Sequence, residues 1–165
     1  MNGGIKPEHL TCLSGDRLVP KTHGRIVFRG LVDSLQAEVI EAQVLASQLG
    51  EDECCLKLAA LLDYLRALMA AEVNETPLAP PFLFGMDSGE IRRRSHSAEY
   101  TFPSYTQGPL AARLNTLRAK LREAELCAVR VFGPGAGDER EDICLAMNRL
   151  SSALWLLFCE SLKKH

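Results

Sequence analysis

Two arginines and a glutamate follow one line along a predicted helix in the C-terminal half of the chain. Arg118 and Arg122 are four positions apart and Glu125 follows three positions later, so the three side chains project to a common side. Arg113 and Arg130 flank this line. Guanidinium groups placed in this way offer paired donors to phosphate oxygens and would clamp a polyphosphate. The alternative is a solvated face with an Arg122–Glu125 pair worth only tenths of a kcal/mol, and periodicity alone favours it.

A second polar strip is uncharged and lies on the last predicted helix. Asn148, Ser151, Ser152 and Trp155 follow one another at helical spacing. The structural alternative is that the small serines only allow helices to approach closely. Asp33 is next to the apolar stripe of the first helix, where a carboxylate needs a cationic partner.

The cysteines and the remaining basic residues give weaker signals. The six cysteines include no C-x-x-C pair. Cys54 and Cys55 are adjacent, without a third ligand nearby, and we expect one buried and one partly exposed thiol rather than a metal site. His96 and the arginine run at 92–94 lie in a long connection, where a solvated patch is the common outcome.

Composition excludes several classes of function. The chain has 165 residues, a net charge of -2 and 47% hydrophobic residues, which is typical of one soluble domain. Non-specific nucleic-acid binding needs clustered excess Lys and Arg. The longest apolar run, 153–159, is too short to span a bilayer, and the first residues lack the apolar core of a signal peptide. We expect a cytoplasmic protein, and the common nucleotide-loop and hydrolase signatures are missing from the sequence.

Four apolar stripes predict the elements that position these residues. Apolar side chains recur at i, i+3 and i+7 from Phe28 to a stop at Gly50, then from about 51 to 76, from 109 to 132, and from 138 onward. Pro77 ends the second helix and a Gly-Pro-Gly turn at 133–135 ends the third. The fold class is therefore all-α, an up-and-down four-helix bundle with an additional short helix in a long connection.

The remaining segments frame that bundle. Residues 1–27 are predicted to be loop or extended structure, with a short alternation at 25–28, and residues 28–165 form the helical-bundle domain. Residues 76–107 form an unusually long connection, with a short helix near 88–94. A connection of that length is commonly functional, so we expect a binding loop there.

Three segments resemble the corrinoid (cobalamin) adenosyltransferases of the propanediol- and ethanolamine-utilisation types. Residues 20–35 (PKTHGRIVFRGLVDSL) look like the family's lysine and Gly-x-Val-Asp-Glu-Leu stretch. Residues 118–125 (RAKLREAE) are similar to Arg-Thr-x-x-Arg-Arg-Ala-Glu, and residues 147–152 (MNRLSS) to Leu-Asn-Arg-Leu-Ser-Asp. The order matches, and the Pro-Ser-Tyr stretch at 103–105 brings the chain closer to the ethanolamine-utilisation branch.

The resemblance implies an ATP:cob(I)alamin adenosyltransferase, with active sites between the subunits of a homotrimer. Co(I) attacks the 5′ carbon of ATP and triphosphate leaves. By this resemblance Lys21, Arg122 and Asn148 contact ATP. Glu125 lies close to the phosphates, where Mg²⁺ would bind, and no residue is assigned as a resident metal ligand.

The resemblance also implies the corrinoid side of the site. Arg118 would pair with Asp33 across the subunit interface, and both would act with Arg122 in catalysis. Phe102 would close the lower face of the corrin, where displacement of the lower axial ligand makes reduction to Co(I) feasible. Because the cofactor supplies the nucleophile, no reactive side chain is needed, in agreement with the missing catalytic signatures.

The chain departs from the family at its N-terminus. The nucleotide loop Thr-Lys-x-Gly-Asp-x-Gly is absent, and Ser14-Gly15-Asp16 is its nearest remnant. Two alternatives therefore stay open: a non-catalytic corrinoid-binding or chaperone protein on the same bundle, and a helical scaffold whose motif matches are accidental.

Overall fold

The structure, a computed structural model, describes residues 7–163. A two-stranded antiparallel hairpin precedes five α-helices, and one 3-10 turn lies before the fourth helix. The elements are β1 (Leu10–Ser14), β2 (Arg17–Pro20), α1 (Gly24–Gln48), α2 (Asp52–Val73), α3 (Ser88–Ser97), the 3-10 turn (Tyr105–Gln107), α4 (Gly108–Phe132) and α5 (Glu141–Ser161).

The four long helices confirm the predicted all-α bundle. They form a ring in which α1 packs between α2 and α4, and α5 closes the ring on the other side. Neighbours in the ring are antiparallel: Gly24 at the start of α1 lies against Val131 at the end of α4. Likewise Lys57, early in α2, pairs with Glu160, late in α5. Since α2 and α4 both run against α1, they run in the same direction, so the predicted up-and-down order is wrong between these two helices. The long connection makes this order possible, because the chain between α2 and α4 returns along the length of the bundle.

The predicted apolar stripes form the core. In α1 and α5 every stripe residue is buried. In α4 the buried stripe runs through Ala128 to Phe132, and Val131 beside it is half-buried. The rings of Phe28 and Phe132 meet edge to face, with centroids 5.1 Å apart. The buried stripe residues of α1 and α5 are Val32, Leu35, Val39, Ala42, Ala46, Ile143, Met147, Leu150, Leu154 and Leu157.

The first helix begins four residues earlier than expected. The alternation at 25–28 belongs to α1 and is not extended, because both Arg25 and Phe28 point into the bundle. His23 Nδ1 accepts a hydrogen bond from the main-chain N–H of Arg25, which caps the helix. Residues 10–20, expected as loop or extended chain, pair into the hairpin, while residues 1–6 of that segment lie outside the described residues.

A buried ionic network holds the start of α1 against the end of α2. Arg25 Nε and Arg29 Nε each donate to one oxygen of Glu72, both at 2.5 Å. Arg25 Nη1 donates to Glu75 at 2.7 Å, and Arg25 Nη2 donates to the main-chain carbonyl of Glu72 at 2.9 Å. Burial alone would lower the pKa of Arg25, but its hydrogen bonds to the two glutamates outweigh burial and raise the pKa. The network fixes the helix that follows Lys21.

The last helix differs from the sequence expectation at its start. Asp138 and Glu139 were expected to open it, but α5 begins at Glu141 and these two residues belong to the turn. By length and composition alone α5 could cross a membrane. In the structure 44% of that apolar stretch is buried, and its buried residues face the centre of the bundle.

Candidate active site

A groove of about 330 Å³ lies where α4, α5 and the long connection meet. Four of the expected site residues line it: Arg118, Arg122, Glu125 and Asn148. Helical spacing places the first three on the edge of α4 that faces α5. The remaining lining residues are Ser95, His96, Tyr100, Ser151, Ser152 and Trp155.

Hydrogen bonds orient the polar groups across the groove. Asn148 Nδ2 donates to Glu125 Oε1 at 2.7 Å, which joins α5 to α4. Arg149 Nη1 donates to Asn148 Oδ1 and fixes the other end of that amide. Arg122 is exposed and makes no ion pair with any residue in the range 7–163, so the expected Arg122–Glu125 pair does not form. The free guanidinium of Arg122 is thus available to an anion in the groove.

Aromatic rings form one wall of the groove. Arg118 is held by two hydrogen bonds to Asn115 Oδ1, at 3.0 and 3.2 Å, and its guanidinium carbon lies 5.9 Å from the centre of the Trp155 ring. Tyr100 stacks on Trp155 with centroids 5.3 Å apart, and Phe102 meets Tyr100 edge to face at 4.8 Å. Phe102 is 79% exposed, so its ring is presented to solvent beside the groove.

Apart from Phe102, which lies beside the groove, two expected site residues are outside it. Lys21 and Asp33 are both exposed, one just before α1 and the other within it. The structure of one chain brings neither to the groove, and the expected pairing of Asp33 with Arg118 from another subunit stays a prediction. Arg118 instead contacts Asn115 and Trp155 within its own chain.

The α1-facing edge of α4 carries separate charges. Arg113 pairs with Glu38 at 3.1 Å and also with Glu41, and Lys120 pairs with Glu38. Arg113 therefore ties α4 to α1 and does not extend the basic line of the groove. Arg130 is exposed near the end of α4 and lines no part of the groove.

The thiols behave as small apolar side chains. Cys54 is buried and Cys55 half-buried, as expected for the adjacent pair. Burial raises the pKa of the Cys127, Cys144 and Cys159 thiols, which keeps them protonated. Within residues 7–163 no group of three or more His, Cys, Asp or Glu side chains could hold a metal ion.

Sequence reasoning missed the contribution of Tyr100 and of Ser95. Both lie in the connection between α2 and α4, whose length was the one available signal. His96, expected to be simply exposed, is exposed but also lines the groove. The connection passes over α5 because it must return along the bundle, and this path lays it on the groove.

Comparisons with known proteins identify the family of the chain. The family model described as "Cobalamin adenosyltransferase" matches residues 5–161. "Corrinoid adenosyltransferase EutT" of Salmonella typhimurium is 32% identical over 167 residues, covering 97% of this chain and 61% of that protein. The protein of the same name from Escherichia coli K12 is 31% identical over 166 residues, covering 96% and 61%. The chain thus spans about three-fifths of the length of these relatives.

No solved structure matches the chain. The family match covers nearly all of it, however, and includes both helices that build the groove. The resemblance of the three sequence segments, the bundle that positions two of them at one groove, and these matches lead to one identification. The chain belongs to the cobalamin adenosyltransferase family.

Proposed function

We propose that this chain transfers the 5′-deoxyadenosyl group of ATP to Co(I) of a corrinoid in the cytoplasm, giving adenosylcobalamin and triphosphate. The observation that carries the proposal is the convergence of Arg118, Arg122 and Asn148 in one groove. These residues come from two of the family-like segments and meet only through packing of α4 on α5. The relatives named for this activity support it.

The phosphates of ATP are the ligand that the polar side of the groove fits. Arg122 makes no ion pair with the part of the chain that the structure describes, and it offers a planar fork to phosphate oxygens. Asn148 adds an amide whose orientation is fixed by Glu125 and Arg149. Glu125 is the groove's carboxylate, and Mg²⁺ is usually held by one or two carboxylates together with substrate phosphates, so Glu125 suits that role. The metal would neutralise phosphate charge.

The reaction requires positioning and charge neutralisation rather than a protein nucleophile. The electron pair of Co(I) forms a bond to the 5′ carbon, while the bond from that carbon to the phosphate oxygen breaks and the triphosphate leaves with its electrons. Negative charge develops on the leaving oxygen. Arginines fixed near that oxygen stabilise it without reorganising, and holding the two reactants in line removes much of the entropic cost.

The aromatic side of the groove suits the corrin. Phe102 is exposed next to Tyr100 and Trp155, and a planar macrocycle would cover apolar surface that is now in water. In this arrangement Phe102 lies against the lower face and excludes a lower axial ligand. Arg118 stays beside the reacting centre because Asn115 and the Trp155 ring hold it.

A second copy of the chain would complete the site. Lys21 and Asp33 are exposed outside the groove, so the roles expected for them need a neighbouring subunit. Leu126 and Val129, one and two turns beyond Arg122, are 59% and 51% exposed, and exposed apolar residues in a patch are typical of a protein interface. These exposed residues support an active site between subunits, and the family resemblance is the ground on which we propose a homotrimer.

An assay with reduced cobalamin tests the proposal. The protein is incubated with ATP, Mg²⁺ and cob(I)alamin, and the adenosylcobalamin spectrum is followed. Arg122→Ala should abolish transfer with an unchanged circular dichroism spectrum, whereas Arg130→Ala, on the same helix but outside the groove, should keep it. Corrinoid binding without conversion by the wild type would favour the non-catalytic alternative.

A further inference from the structure

A second, basic hollow lies next to the groove along α5. Asn148 and His96 line both spaces, so the two are adjacent. Arg92 and His96 of α3 form one wall of the second hollow, and Arg149 of α5 forms the other. Glu141, Cys144 and Leu145 complete the lining. The hollow therefore holds two arginines against a single, exposed carboxylate.

The arginine run of α3 divides into paired and unpaired members. Arg93 and Arg94 both bind Glu90, at 3.1 and 2.7 Å, and their charges are neutralised there. The Arg92 side chain lines the hollow instead and makes no hydrogen bond or ion pair with any residue in the range 7–163. The run is thus a solvated patch only in part.

The opposite wall is a half-buried arginine without a carboxylate. Arg149 donates from Nε to Ser88 Oγ at 3.1 Å and from Nη1 to Asn148 Oδ1, and both partners are neutral. Burial, and then the positive charge of Arg92, lower the pKa of Arg149. Two cations that repel each other across an open hollow are stabilised by an anion between them.

We propose that Arg92 and Arg149 bind a phosphate group in this hollow, the terminal end of the polyphosphate whose other end lies at Arg122. The inference rests on the proposed function. The two arginines would supply phosphate ligands in a chain that lacks the family's N-terminal nucleotide loop. Asn148 connects the two parts, because it contacts Glu125 on one side and Arg149 on the other. The phosphodiester in the side chain of cobalamin offers the same chemistry, so the test has to separate the two sources.

Binding of inorganic tripolyphosphate, measured by titration calorimetry without corrinoid, tests the assignment. Arg92→Gln should weaken binding about tenfold, the usual effect of losing one hydrogen bond between charged groups. Arg93→Gln is the matched control, since it removes the same charge from the same helix outside the hollow. It should change the affinity by less than about twofold. Arg149→Gln, checked for folding, should resemble Arg92→Gln.

Two results would overturn the assignment. Equal losses of tripolyphosphate affinity in Arg92→Gln and Arg93→Gln would mean that the anion responds only to the positive charge of the whole surface. The second result concerns cobinamide, which lacks the phosphodiester. If Arg92→Gln loses affinity for cobalamin but not for cobinamide, and keeps its affinity for tripolyphosphate, the hollow binds the corrinoid. The inference and the proposed function fail separately. If the wild type adenosylates cobalamin but Arg92→Gln binds tripolyphosphate as the wild type does, only the phosphate site in the hollow is refuted. If the wild type does not transfer the adenosyl group but Arg92→Gln weakens tripolyphosphate binding, only the proposed activity is refuted.

Discussion

Replacement of Glu72 should show how much the stability of the bundle depends on one carboxylate between the start of α1 and the end of α2. The Glu72 side chain is 0% exposed and receives bonds from Arg25 and Arg29, whose side chains are 6% and 16% exposed. Removing one partner of such a buried group costs about 3–5 kcal/mol, because a charge is left without compensation. Arg25 keeps Glu75 at 2.7 Å, whereas Arg29 loses both of its hydrogen bonds to the carboxylate.

The retained Glu75 contact places the expected loss at the lower end of that range. Glu72→Ala should reduce the free energy of unfolding by about 3 kcal/mol, a large part of the 5–15 kcal/mol typical of a domain. At a urea dependence of about 2 kcal/mol per molar, the unfolding midpoint falls by about 1.5 M. Glu72→Gln should cost less than Glu72→Ala, because the amide keeps one acceptor oxygen and most of the volume.

The same arrangement at the surface supplies the control. Glu90 also binds two arginines, Arg93 and Arg94, but their side chains are 71% and 63% exposed. Glu90→Ala should cost about 1 kcal/mol or less, since exposed ion pairs contribute little. Unfolding followed by circular dichroism in urea measures both variants. A loss below about 1 kcal/mol for Glu72→Ala, or equal losses at the two sites, would refute the argument from burial.

Two further measurements address other parts of the molecule. Burial, and then the charge of Asp142, raise the pKa of Tyr64 to about 12, so the unfolded chain loses this proton first and stability should fall from about pH 10 to pH 12. Tyr64→Phe should remove that part of the alkaline dependence of the urea midpoint, and an unchanged dependence would contradict it. For the site between subunits, Asp33→Ala and Arg118→Ala should each be inactive, but unfolding and refolding them as a mixture should restore part of the activity. No recovery in mixed oligomers would place both residues in one subunit's site.

The helices could be predicted because each buries one continuous stripe. The i, i+3, i+7 spacing is a local property of the sequence, and in α1 it identified every buried residue from Val32 to Ala46. The α5 stripe was equally informative, although its start was misplaced, because the acidic pair Asp138-Glu139 is as typical of a turn as of a helix N-terminus. Helix ends depend on only a few residues, and their patterns are correspondingly weak.

The first turn of α1 could not be predicted because its partner is remote in sequence. Arg25 is polar, so the segment 25–28 gave no apolar stripe, and its burial depends on Glu72, 47 positions away. The hairpin was missed for a related reason. Its strands are four and five residues long, and only Leu13 and Val19 within it are buried.

Part of the candidate site could also be predicted from local spacing. Arg118, Arg122 and Glu125 share a face by spacing alone, and the structure confirms that face. Their approach to Asn148 is a tertiary contact between α4 and α5, which no spacing within one helix reveals. The sequence could not separate Arg92 from the rest of its run either, because Glu90 neutralises only the members that it can reach on α3.

The path of the chain explains why the groove has three walls. A connection from α2 to a helix running in the same direction has to return along the bundle, and here it returns over α5. That return lays α3 and Tyr100 over the junction of α4 and α5, so the basic hollow and the aromatic wall are consequences of the same topology. The groove is still open beyond Arg122, where Leu126 and Val129 are exposed. Under the proposed function that open side receives the neighbouring subunit, and assembly becomes a requirement of the chemistry rather than an addition to it.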